Sequence, residues 1–179
     1  MITAPINITS HQREFIESYV LGDHFPWFRT AYQVDRTVSN YVDSAFFSHQ
    51  FMKRTEDDAE TSGIVNSPHF DFFAEIFTRW MQDNNQPFER IYRAAINCVY
   101  PNKDIAISTP HVDHPFSHNN WIMYLTTNAN AETLLFTEDL TIEHAIPCCA
   151  YTAGCFSHQL HAHRYPTDKQ RIVVVFTYA

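Results

Sequence analysis

From residue 105 onward, short apolar segments follow one another with Asn, Pro, Ser and Thr between them: Ile105-Ala106-Ile107, Trp121-Ile122-Met123-Tyr124-Leu125, Thr133-Leu134-Leu135-Phe136, Cys155 to Leu160, and Arg171 to Phe176. Such runs predict strands, and no helical period separates them, which disfavours a βαβ arrangement. The first half reads differently. Thr9-x-x-Gln12 ahead of Phe15, Ile16, Tyr19 and Val20 predicts a capped amphipathic helix. Ser67-Pro68 opens a second, with Phe70, Phe73, Ile76, Phe77 and Trp80 on one face. Trp27 to Val34 and Tyr41 to Phe51 read as strands, and residues 53–66 as a charged loop, either a solvated connector or a flap over a site. With 179 residues, 45% of them apolar, one domain over 1–179 is expected: a supporting part of helices and strands over about 1–87 and a strand-rich core over about 88–179.

Within the strand-rich part lies His111-Val112-Asp113. On a strand, side chains two apart share a face, so imidazole and carboxylate can grip one metal ion. The pattern alone is weak: eleven His and eleven Asp in this length give about 0.7 such matches by chance. His69-Phe70-Asp71 is a second match, but it opens the predicted helix, where residues two apart diverge. A third ligand must come from elsewhere, and His158, His161 and His163 are the candidates. Two His and one carboxylate with open positions is the donor set of non-haem Fe(II) oxygenases. The architecture that brings residues 111 and 161 together at one open end is a double-stranded β-helix, a cupin-like jelly roll, with the helices buttressing its larger sheet.

The order Cys98-Val99-Tyr100-Pro101, His111-Val112-Asp113, Met123-Tyr124-Leu125, Glu132 to Phe136, Leu160-His161-Ala162 and Arg171-Ile172 resembles the 2-oxoglutarate- and Fe(II)-dependent oxygenases, in their prolyl-4-hydroxylase-like branch. The resemblance spans roughly residues 88–178. It implies that His111, Asp113 and His161 hold Fe(II). It also implies that Arg171 binds the distal carboxylate of 2-oxoglutarate, a role suited to a planar, permanently charged fork. Tyr124 and Tyr100 sit where the family places phenols that bond the same cosubstrate. The implied reaction consumes O2 and 2-oxoglutarate, releases succinate and CO2, and hydroxylates a C–H bond of a protein side chain or small molecule. Halogenating relatives carry a small residue in place of the Asp, so Asp113 points to hydroxylation. The chain departs from the family pattern at Ala131-Glu132 and at His163, where glycines are common.

A formal net charge of −8 disfavours a chain built to track nucleic acid. Cys98, Cys148, Cys149 and Cys155 lack zinc-site spacing, the first residues form no apolar leader, and no run reaches membrane-spanning length. Reduced thiols in the cytoplasm are the expectation. Two other readings compete: a cupin-like metalloenzyme that does not use 2-oxoglutarate, and a non-catalytic jelly-roll binding protein.

Overall fold

Residues 1–31, 44–54 and 58–179 are described by a computed structural model of the chain. Gln12 N donates to Thr9 Oγ1 at 3.1 Å and Thr9 N donates to Gln12 Oε1 at 3.0 Å, the reciprocal box that starts α1 (Ser10–Phe15). The helix widens into a π-turn over Ile16–Val20, with Ile16 and Val20 buried. In α2 (Phe70–Asp83) the helical spacing buries Phe73, Ile76, Phe77, Trp80 and Met81. The chain leaves that helix through Asn85, whose left-handed backbone (φ 53°) Asn tolerates better than most residues. His69 sits at the helix start among the rings of Phe15, Tyr19, Phe25 and His49, while Asp71 is exposed. That pair straddles the helix start, His69 at the N-cap and Asp71 in the first turn.

The strands are β1 (Ile2–Pro5), β2 (Phe28–Thr30), β3 (Phe46–Lys53), β4 (Ile64–Val65), β5 (Ile91–Val99), β6 (Asn119–Tyr124), β7 (Asn128–Phe136), β8 (Ile142–Cys148), β9 (Thr152–Ser157), β10 (His161–His163) and β11 (Arg171–Tyr178). Among the described residues, the larger sheet runs β1-β9-β6-β11-β5-β3-β2 with β4 beside β3, and the smaller runs β10-β7-β8. Residues 107 and 111 add to the other side of β10 by isolated bridges to Arg164 and His161. From β5 onward the chain therefore winds back and forth between two facing antiparallel sheets. This is the expected jelly roll. Segment 105–113 makes only those two bridges, however, and not a regular strand; Pro110 has no N–H to give a ladder.

Alternation along β11 divides the interior. Ile172, Val174, Phe176 and Tyr178 belong to the core shared with the helices, where Phe77 stacks on Phe176 at 4.7 Å and meets Trp121 edge-on at 5.4 Å. Arg171, Val173 and Val175 face the smaller sheet. Because the larger sheet is covered on both faces, Trp121 to Tyr124 are buried at every position and not at alternate ones. Ile76→Val, which removes one methylene from the helix-side core, is expected to cost about 0.5–1.5 kcal/mol, read as a lower urea midpoint; an unchanged midpoint would contradict this packing.

Two of the expected N-terminal strands exist in shortened form as β2 and β3, with residues 32–34 and 41–43 lying outside the described residues. The 53–66 stretch is not one loop: Lys53 closes β3, residues 64–65 form β4, and residues 55–57 lie outside the described residues. The register of β3 on β5 shifts between Gln50 and Met52. Phe51 is the extra residue of a bulge, so Phe51 and Met52 both enter the helix-side core while Phe46, Ser48, Gln50 and Lys53 reach the space between the sheets. No helix among the described residues is long and apolar enough to cross a membrane.

Candidate metal centre and its cavity

The two-way backbone bridge between His111 and His161 is what joins the separated motifs. His111 N donates to His161 O at 3.0 Å and His161 N donates to His111 O at 2.9 Å, which brings the two rings to a centroid distance of 4.6 Å. Asp113 lies just beyond. One ligand atom from each of His111, Asp113 and His161 lies within 4.8 Å of the others, the one such cluster among the described residues. His158 and His163 are outside it.

The donors are prepared for a cation. Nδ1 of His111 meets Thr109 O at 2.9 Å and Nδ1 of His161 meets Gln159 O at 3.2 Å. A carbonyl can only accept, so each Nδ1 carries the proton and each Nε2 keeps its lone pair. Asp113 is held by Arg93, whose Nη1 donates to Oδ1 at 3.1 Å. Its Oδ2 lies 3.3 Å from His161 Nε2 yet is buried with no hydrogen-bond partner. A buried carboxylate oxygen left bare between two bare imidazole nitrogens fits a divalent metal with nitrogen and oxygen ligands. Outer contacts of this kind, two carbonyls and a guanidinium, fix ring and carboxylate orientation.

Burial alone would raise the Asp113 carboxyl, but His161, Arg93 and His111 overcome it and hold it well below the usual carboxylate range. Burial, with help from His161, pushes the His111 imidazole down. Both groups are thus in the unprotonated form a metal needs. Nearby, burial and His118 push His114 down to about 3; its ring spans Arg54 Nη1 at 3.0 Å and Thr177 Oγ1 at 2.7 Å. The unfolded chain takes up that proton at the ordinary imidazole value, about 6.5, before the folded one does. Stability of the metal-free protein is therefore full above that pH and falls as pH drops toward 3. A lower urea midpoint at pH 5 than at pH 7.5, with a smaller difference in His114→Gln, is expected; equal midpoints would contradict it.

The cluster opens on a cavity of about 590 Å³ between the sheets. Arg171 belongs to the same cavity wall. It is 4% exposed; Nε donates to Ala131 O at 3.0 Å and Nη2 to Thr133 Oγ1 at 2.7 Å. Among the described residues no carboxylate pairs with it. Tyr124 stands beside it, its ring centroid 5.5 Å from the guanidinium carbon and its hydroxyl 2.7 Å from Thr133 Oγ1 and 3.3 Å from Ile146 O. That hydroxyl steadies the Arg171 environment and is not part of the cavity lining. Tyr100 is half exposed and packs edge-on against Phe47 at 5.7 Å, away from the cavity.

Several lining residues escaped the sequence reading. Arg93, Asn97, Thr133, Ser48 and Gln50 come from strands whose inward face is legible only once register is known. His158 is exposed, with Nδ1 3.0 Å from His118 Nδ1. His163 does line the cavity: it is 5% exposed, its Nε2 has no partner, and burial and Arg171 hold its imidazole well below the ordinary range.

No protein-family model matches the chain, and no curated protein matches it in sequence. Solved structures do. An oxidoreductase of the 2OG-Fe(II) oxygenase family from Burkholderia pseudomallei superposes with a TM-score of 0.73 at 15% identity, over 99% of this chain and 84% of that one. A prolyl hydroxylase from Trichoplax adhaerens, in complex with a peptide fragment of the hypoxia inducible factor oxygen degradation domain, gives 0.60 at 13% identity over 99% and 82%. The non-haem α-ketoglutarate-dependent epimerase SnoN from nogalamycin biosynthesis gives 0.52 at 12% identity over 99% and 77%. At these identities the likeness establishes the fold, and chemistry has to be argued from side chains.

Proposed function

We propose that this protein is a 2-oxoglutarate- and Fe(II)-dependent dioxygenase that hydroxylates a C–H bond of a polypeptide side chain or a small molecule, releasing succinate and CO2. The observation that carries the reading is the buried Arg171, a cation with no carboxylate partner among the described residues, in the same cavity as the two-His, one-carboxylate cluster. A buried charge left unpaired is costly. A dicarboxylate that reaches from Arg171 to the metal ligands removes that cost. In a metalloenzyme without 2-oxoglutarate, or a binding protein with incidental histidines, that guanidinium would keep its bonds to Ala131 O and Thr133 Oγ1 and meet no anion.

When bound, Fe(II) and 2-oxoglutarate supply together with O2 the oxidising power that turns C–H into C–OH. The chain's own work is to hold and to exclude. Nε2 of His111, Nε2 of His161 and Oδ2 of Asp113 are the atoms that would hold iron, and Thr109 O, Gln159 O and Arg93 keep them oriented. Arg171, braced by Ala131 O and Thr133, would fix the distal carboxylate. Ile122, Val173 and Val175 line the same space and keep water from it. Similar structures include both a peptide-bound prolyl hydroxylase and an epimerase, and both substrate classes stay within the proposal.

Incubating the protein with Fe(II), 2-oxoglutarate and O2 tests this directly. Slow succinate formation that requires both iron and protein, and that disappears in His111→Ala, is the expected result. No succinate above the iron-only control, with or without candidate substrates, would count against it.

A further inference from the structure

The function proposed above, on which this inference rests, leaves Arg171 short of help. Tyr100 is turned away and the Tyr124 hydroxyl is engaged with Thr133 and Ile146. A carboxylate has about four lone-pair sites, and one guanidinium fork fills two of them. Opposite Thr133 on the neighbouring strand stands His163, in direct register across β7 and β10. Residues paired in this way share a face of the sheet, and Thr133 Oγ1 is the acceptor of Arg171 Nη2. Imidazole, hydroxyl and guanidinium therefore gather at one place on the cavity wall. The backbone of His163 is fixed by its N–H, which donates to Ser108 Oγ at 3.0 Å, and the ring packs on Tyr165 at 5.0 Å, yet Nε2 is buried with no partner. Such an atom is costly to leave unmatched, and His163 is outside the metal-ligand cluster.

We propose that His163 is a cosubstrate-binding residue, its Nε2–H donating a second hydrogen bond to the distal carboxylate that Arg171 holds. The alternative is that the ring only fills space.

Calorimetry on the Mn(II)-loaded protein separates the two, with 2-oxoglutarate and 2-oxobutyrate as probes, because the second has the same 2-oxo acid end and no distal carboxylate. His163→Phe is expected to weaken 2-oxoglutarate about tenfold or more, the typical worth of a hydrogen bond to a charged group, and to leave 2-oxobutyrate unchanged. His163→Gln, which can place an N–H near the Nε2 position, should recover most of the loss. Equal weakening of both ligands, or none, overturns the role of His163. If those results come with a loss of 2-oxoglutarate binding in Arg171→Ala, the function above survives without it. A wild-type protein that binds neither ligand overturns both. Should the variants fail to fold, the Zn(II)-loaded wild type decides by NMR: a His163 ring N–H protected from exchange by 2-oxoglutarate and not by 2-oxobutyrate supports the assignment, and its absence overturns it.

Discussion

Replacing Arg171 by Ala is expected to lower 2-oxoglutarate affinity by roughly 30-fold or more, since truncating one partner of a desolvated, hydrogen-bonded charge pair typically costs about 2 to 5 kcal/mol. The size follows from burial: at 4% exposure the guanidinium has little water to fall back on, and its two described bonds go to neutral oxygens, Ala131 O and Thr133 Oγ1. Arg171→Lys should recover only part of the loss, because an ammonium keeps the charge and gives up the planar fork. Titration of the Mn(II)-loaded variants by calorimetry reads both effects. Unchanged affinity in Arg171→Ala would favour a metalloenzyme of the same fold that does not use 2-oxoglutarate.

The proposed metal ligands carry the second large effect. Asp113→Ala and His161→Ala are each expected to weaken Fe(II) binding by more than about 100-fold, beyond the 10- to 100-fold that losing an outer-shell partner typically costs. Folding should survive, because the cluster lies on the cavity side of the sheet while the helix-side core around Phe77, Trp121 and Phe176 is untouched. His158→Ala is the control: the ring is exposed and leans on His118, so metal content should be unchanged. Metal content after anaerobic reconstitution settles the ranking. Stoichiometric iron in Asp113→Ala, or its loss in His158→Ala, would move the ligand assignment.

What the sequence made legible was whatever short-range chemistry encodes. The Thr9–Gln12 box, the apolar face of α2 and the His-x-Asp spacing are local signals, and each is found in place. His-x-Asp converges for a different reason than expected, through a single bridge to His161 and not through a regular strand. Long-range register was not legible. Tyr100 matched a family position by order, yet it follows the last residue of β5, and Pro101 ends the ladder there. Val99 ahead of it packs with Phe46 and Tyr165, so the next side chain points the other way. The bond from Arg93 to Asp113 joins β5 to a loop 20 residues on, and the bulge at Phe51 changes which residues of β3 look inward. Neither leaves a mark in composition or period. His163 was visible as a departure from a common glycine; its unmatched Nε2 emerged only from packing.

Anaerobic titration of the purified protein with Fe(II) and then 2-oxoglutarate, followed in the visible range, tests iron and cosubstrate at one centre in a single experiment. A weak charge-transfer band that requires both, saturates at stoichiometric amounts of each, and is lost in His111→Ala is the predicted result. Bound iron with no band at saturating 2-oxoglutarate would contradict a shared site for the two.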